Sequence, residues 1–216
     1  MHVPSERLEE ARDSLQVSVQ RLSAGSWNVS PLVDAHPGHL GLLIVDGVLA
    51  RDILLGNSIN TELLGAGDLV RPWHTDSSGP ILRYEVRWNI LADVELAVLD
   101  RRLAVALARY PEVNAALLER VYRRSERLAA ANAIVQLHGV DRRLLAFFWH
   151  IAERWGKVTT EGVVIPLRLS HRALAELVGA RRPTVSTSLG ELARQGALLR
   201  RPDGSWLLTG EPIRAT

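Results

Sequence analysis

The chain has 216 residues, 47% of them hydrophobic, with 26 basic and 24 acidic side chains, which is the composition of a globular protein with room for two small domains. It has no cysteine, which excludes disulfides, thiolate zinc sites, cysteine-bound iron–sulfur clusters and thiol redox sensing. No run of eighteen apolar residues and no basic-then-apolar leader is found, so a cytoplasmic protein is expected. The charge is unevenly spread. Residues 139–216 hold 12 basic and 7 acidic residues, whereas residues 1–138 hold 14 and 17, as expected for a basic nucleic-acid module joined to a neutral or acidic domain.

From Trp27 to about Leu99 the chain alternates short β-rich runs with Gly and Pro: Gly41–Val45, Gly47–Ile53, Ser58–Leu64, Leu82–Trp88 and Leu96–Leu99. Strands this short and closely spaced predict a small barrel or jelly roll. His36 and His39 are three apart but flank Pro37-Gly38, a turn that does not orient two imidazoles, and His74 lies two from Asp76. No carboxylate cluster completes a ligand set, and no metal is expected. The tryptophans of this region, Trp27, Trp73 and Trp88, are expected to be core residues, with a lining role in an effector pocket as the alternative.

From Pro111 to about His138 the pattern is helical throughout, about 28 residues and about 42 Å long. Leu117, Val121, Leu128, Ala131, Val135 and His138 keep alternating steps of three and four if Arg124 fills one gap, which is coiled-coil spacing and predicts pairing with a second copy. A second stripe, Leu118, Tyr122, Ser125 and Ala129, is expected to face the chain's own barrel. Gly139 breaks the helix. Asp141 is placed to cap a new one with Leu144, Leu145, Phe148 and Ile151 on its apolar face, so the hinge and domain boundary are expected at this glycine.

The stretch from Leu169 to Gly210 is the most specific. Ser170 can cap a helix whose Leu174, Leu177 and Val178 share one face, and Gly179 closes it in the left-handed region. Pro183 then opens a second helix, where its missing N–H costs nothing. In that helix Val185, Leu189 and Leu192 form the apolar stripe, leaving Arg182, Thr184, Ser186, Thr187 and Ser188 on the other faces. Pro202-Asp203-Gly204 turns a hairpin with Arg200 and Arg201 at its tip. Two short helices across a tight turn, followed by a hairpin, are the layout of a winged helix-turn-helix, with the second helix in the major groove of DNA. Ser170, His171, Arg181, Arg182, Thr184, Ser186, Thr187, Arg200 and Arg201 are the candidate DNA contacts. No phosphate-binding glycine loop, Gly-flanked nucleophilic serine or paired acids on a helix point to an enzyme.

In this order the chain resembles the Crp/Fnr family of bacterial transcription regulators. The likeness is carried by LSHRALAELVGARRPTVSTSLGELARQGAL and, less specifically, by GLLIVDGVLARDILLGNSINTELLGAGDLVRPW with its Gly67-Asp68 turn. The resemblance implies an α+β architecture: a cyclic-nucleotide-binding-like β-roll over residues 1–110, a dimerisation helix over 111–138 and a winged helix-turn-helix over 139–216. It also implies a homodimer that binds near-palindromic duplex DNA and recruits or blocks RNA polymerase. Arg181 and Thr184 fall where the family contacts phosphate, and Arg182 at its first base-reading arginine. Pro183 stands where the family has a glutamate and Thr187 where it has a second arginine, so a different operator is expected.

Family members that bind a cyclic nucleotide carry a glutamate after the Gly-Asp turn and an arginine followed by Ser or Thr. Here Pro72 holds the first position, and Arg83 is followed by Tyr84. A cyclic nucleotide is therefore not expected, and an effector of another class is left open, with Arg71, Trp73, Arg83 and Tyr84 as the candidate pocket. The alternatives carried by the resemblance are a small-molecule sensor acting allosterically on DNA binding and a haem or gas sensor of the same fold, since some members hold haem through a histidine near His74.

Overall fold

Residues 41–55 and 85–99 carry long, largely apolar runs in which valine, isoleucine and leucine recur, and both form continuous strands of 15 residues in a computed structural model, which describes residues 4–29, 39–73 and 82–212. The chain divides into two compact units, residues 1–58 with 62–126 and residues 127–216 with 59–61, so that the division falls inside the long helix.

The first unit is built on a six-stranded antiparallel sheet. Its strands are β1 (Ser18–Leu22), β2 (Gly25–Trp27), β3 (Gly41–Leu55), β4 (Ser58–Gly65), β5 (Leu69–Val70) and β6 (Glu85–Leu99). β3 and β6 pair along almost their whole length, from Gly41 opposite Leu99 to Leu54 opposite Glu85. The register slips between Ile44 and Leu49, at Asp46-Gly47. Gly47 has φ +94°, and a β-carbon there would run into the Asp93 carbonyl and the Val94 side chain, so this bulge requires glycine. The sequence divides each long strand in two because such a bulge interrupts the alternation without ending the pairing.

Leu42, Ile44, Leu49, Leu64, Val70, Ile90, Val94 and Leu96 form the roll's core with Trp73 and Trp88, and Trp27 meets Trp88 edge to face at 5.8 Å. A second apolar cluster gathers Leu99, Leu103 and Leu107, with Leu15, Leu40, Val113 and Leu117 against it. Here lie two helices not read from the sequence, α1 (Leu8–Ser14) and α2 (Arg101–Ala106). Asp100 caps the latter, its Oδ1 accepting from the Leu103 amide at 2.8 Å. The long helix α3 runs from Pro111 to Val135, and not one of its 25 residues is buried.

In the second unit α4 (Val140–Trp155) buries Leu144, Phe147, Phe148 and Ile151. Gly139 itself is the N-cap, with Asp141 in the first turn rather than at the cap. α5 (His171–Leu177) and α6 (Arg182–Arg194) follow. A four-stranded sheet, in the order β7 (Lys157–Thr159), β8 (Gly162–Ile165), β10 (Trp206–Leu208), β9 (Leu198–Arg200), completes the unit. Trp206 is buried with its ring centre 5.0 Å from that of Phe148, joining the hairpin to α4. The β7–β8 hairpin was not legible because every residue of β7 is exposed and shows no alternation.

Candidate nucleic-acid interface

The expected motif is assembled from its local signals. The Ser170 hydroxyl accepts from the Ala173 amide at 3.1 Å and starts α5. At its end Gly179 takes φ +61°, and the Ala180 amide reaches back to the Ala175 carbonyl at 2.9 Å, which satisfies a carbonyl the helix leaves open. Arg181 is the N-cap of α6, with Pro183 in its first turn. Leu174, Ala175, Leu177 and Val178 are buried on one side and Val185, Leu189 and Leu192 on the other, so the apolar stripes of the two helices are used up within the unit. Small residues such as Ala175 allow the close crossing.

The N-cap and first half of α6 leave exposed Arg181, Arg182, Pro183, Thr184, Ser186 and Thr187. Arg181 and Arg182 have no acidic partner among the described residues, whereas Arg172 is paired with Glu176 at 3.0 Å and Arg194 with Glu191. The uncompensated positive charge therefore concentrates at the N-terminal end of α6, where free amides add to it. Thr187 Oγ1 donates to the Pro183 carbonyl at 3.2 Å, so its proton serves its own helix while its lone pairs and methyl stay available to a partner. His171 Nδ1 lies 2.9 Å from Ser186 Oγ, joining the start of α5 to the face of α6.

The β9–β10 hairpin is held by Asp203, whose Oδ1 accepts from the Ser205 amide at 2.9 Å and the Ser205 hydroxyl at 2.6 Å. These bonds, the hydroxyl's first, hold its carboxyl below the usual carboxylate range. Arg200 stacks over Trp206 at 5.6 Å, and Arg201 follows it on the exposed side. Arg168, missed by the sequence reading, is exposed and lies beside Gly204, close to the hairpin turn. Its place depends on the β8–β10 pairing, which no local pattern announced.

On the long helix two residues of the first stripe, Leu117 and Arg124, turn toward the roll, and two of the second, Leu118 and Tyr122, do not. Leu117 packs on the roll's second cluster. Arg124 is turned onto the roll as well, donating Nε and Nη2 to the two Glu62 carboxylate oxygens at 2.8 and 2.9 Å and Nη1 to the Leu69 carbonyl at 2.9 Å. Conversely Leu118 is 58% exposed and Tyr122 67%, with Val121 between them at 47%. Arg124 faces the roll because its carboxylate partner, Glu62, lies on β4. Leu128, Ala131 and Val135 are half-buried, with Val135 next to Gly179.

Arg51 completes a charged triad, its Nη2 3.1 Å from Glu62. Burial opposes the charge of both arginines. In Arg51 burial prevails and the pKa falls, while in Arg124 the bond to Glu62 overrides burial and raises it. The candidate effector residues do not form such a cluster. Trp73 belongs to the roll's core, and Arg71, Arg83 and Tyr84 are exposed. His36, His74 and Asp76 lie outside the described residues.

Residues 142–209 match the family model described as a Crp-like helix-turn-helix domain. The Regulatory protein CysR of Synechococcus elongatus is 31% identical over 150 residues, 68% of this chain and 64% of that protein. The DNA-module part of the chain is thus Crp-like. A Global nitrogen regulator from Synechocystis is 29% identical over 97 residues, 44% of this chain and 41% of that relative. The match thus spans less than two thirds of either relative. Among solved structures, a CooA mutant from Carboxydothermus hydrogenoformans superposes with a TM-score of 0.67 at 19% identity, over 96% of this chain and 88% of that one. The c-di-GMP responsive regulator CLP of Xanthomonas campestris does so at 0.64 and 17% identity, over 96% and 100%. These likenesses give the Crp/Fnr fold over nearly the whole chain, roll and winged helix included. No described helix is long and apolar enough to cross a membrane.

Proposed function

We propose that this protein is a homodimeric, sequence-specific DNA-binding transcription regulator and not an enzyme. The observation that carries the reading is the exposed face of α6. Two uncompensated arginines, two threonines and a serine stand at the start of a helix whose other face is used in packing, with further arginines on the adjoining hairpin. Arg182 has the five-donor fork that grips guanine O6 and N7, while Arg181, Thr184, Arg200 and Arg201 are assigned to phosphate. At position 187 a methyl that can touch thymine and a hydroxyl that can still accept replace an arginine fork, which is the reason to expect an operator unlike that of members with arginine there.

Pairing is assigned to the exposed face of α3, through Leu118, Val121, Tyr122, Ser125, Leu128 and Ala129, whose steps of three and four suit a coiled-coil seam. A 25-residue helix with apolar groups in water and none of its residues buried is the surface a second copy would cover. Two copies joined there would present their α6 helices to successive major grooves, about 34 Å apart. The functional division is then a roll to residue 110, a dimer helix to 138 and a DNA module from 139, with an effector of the roll, if it has one, shifting the population of DNA-module orientations about Gly139. The roll's missing cyclic-nucleotide contacts argue against that class of effector.

Fluorescence anisotropy with labelled duplexes at two salt concentrations tests the reading. Affinity should fall steeply with salt, by about 0.9 in log K per log salt for each phosphate neutralised. Binding that ignores salt, or no binding to any duplex, would reject it.

A further inference from the structure

Arg143 stands on the first turn of α4, just past the Gly139 break. Its Nε donates to the Leu137 carbonyl at 2.7 Å, and its Nη1 to the Gly179 carbonyl at 3.2 Å, with the Val178 carbonyl at 3.4 Å. Leu137 lies in the short turn that ends the long helix, its amide bonded to the Ile134 carbonyl at 3.1 Å. Val178 and Gly179 form the turn of the helix-turn-helix. One guanidinium thus joins carbonyls at the C-terminal ends of two helices, α3 and α5, groups that have no partner inside their helices and carry the negative end of the dipole. All of this lies within the second unit.

The apolar side of the same junction is Val135, the last residue of α3. Its Cβ and Cγ1 lie 3.8 Å from where a β-carbon on Gly179 would stand. Between these two contacts the chain passes through Gln136–Gly139, where Gly139 holds φ +88° and ψ 131° and permits rotation that other residues resist. A valine against a glycine resists sliding weakly and has no preferred direction. A planar fork bonded on both sides does have one, because its donors reach both segments only at one angle between them.

We propose that Arg143 is a positioning residue: it favours one orientation of the helix-turn-helix on the tail of the long helix, and thereby sets the half-site spacing that the dimer accepts. It touches no DNA and acts through the turn that carries α6. The proposal rests on the dimeric DNA-binding reading above. It also predicts a separation of effects that a purely structural residue would not give. Removing the fork leaves the core residues Leu144, Phe147, Phe148 and Ile151 untouched, so each module should still read its own half-site. Only the register between the two modules is lost.

The test uses full-length protein with Arg143→Gln and Arg143→Lys, and duplexes chosen by the wild-type chain from a randomised pool. Affinities are measured for a single half-site and for the full site with its centre lengthened or shortened by one base pair. For Arg143→Gln the half-site affinity should stay within about twofold of wild type, while the preference for the native spacing should fall by about tenfold or more. Arg143→Lys keeps the charge without the fork and should lose most of that preference too, which serves if the glutamine variant does not fold. Unchanged spacing preference in both variants would overturn the proposal, as would a parallel loss of half-site and full-site affinity with a lower melting temperature. Wild-type protein that binds without any spacing preference would instead overturn the dimeric reading, and the role of Arg143 with it.

Discussion

The Arg51–Glu62–Arg124 triad gives an asymmetric prediction. Glu62 is the shared acceptor of two guanidiniums, at 3.1 Å from Arg51 and in a two-pronged bond at 2.8 and 2.9 Å with Arg124, and its side chain is only 10% exposed. Glu62→Gln preserves the shape but removes the negative charge shared by two half-buried cations. Breaking a buried pair costs about 3–5 kcal/mol, and the 17% and 26% exposure of the arginine side chains places this site at the lower end, about 3 kcal/mol. Arg51→Met should behave quite differently. Burial already works against its charge, its Nε is buried without an acceptor, and its loss leaves the Arg124–Glu62 bond whole. The expected cost is under about 1 kcal/mol, with a gain allowed by hydrophobic replacement. Urea unfolding of both variants, with hydrogen exchange of β3 and β6 amides to report on the roll alone, measures the difference. Equal costs for the two substitutions, or a Glu62→Gln cost below about 1 kcal/mol as for an exposed ion pair, would refute the reasoning.

The other expectations concern pairing, reading and pH. Leu118→Glu should shift the protein toward monomer in sedimentation velocity and weaken full-site binding, whereas a stable dimer would remove the proposed seam from α3. Arg182→Ala should lose about 1–3 kcal/mol of discrimination at one base pair of the selected operator. Arg201→Ala should weaken all duplexes alike and lower the salt slope by about one. His150 has its pKa depressed, chiefly by burial and further by Arg127, against an opposing effect of Glu153. Its neutral form is therefore the one the fold favours. Stability should be full above the unfolded value of about 6.5 and decline as pH falls below it, because the unfolded chain takes up the proton first. Melting temperatures of wild type and His150→Asn between pH 7.5 and 5 should diverge in that window, and parallel curves would exclude the histidine as the cause.

The parts of this fold that the sequence announces are those whose causes are local. Ser170, Gly179 and Pro183 each act on backbone groups within a few residues, so the helix-turn-helix could be placed almost residue by residue. The roll's long strands were seen only in pieces because the bulge at Asp46-Gly47 breaks the alternation while pairing with β6 continues. The stripes of α3 show the converse limit. Spacing of three and four identifies apolar faces on a helix, but the choice of which face turns inward was made by Glu62, 62 residues before Arg124. The same holds for Arg168, brought to the hairpin by sheet pairing, and for Arg143, whose acceptors include Gly179, 36 residues away.

Selection of randomised duplexes by the full-length protein, followed by sequencing, tests the central claim most directly. A dimer of winged helix-turn-helix modules should enrich a two-fold symmetric motif whose half-sites lie about 10 base pairs apart, or a multiple of that, centre to centre, and Arg182→Ala should blur one position in each half. No enrichment over the starting pool, or enrichment unaffected by Arg182→Ala and without symmetry, would contradict it.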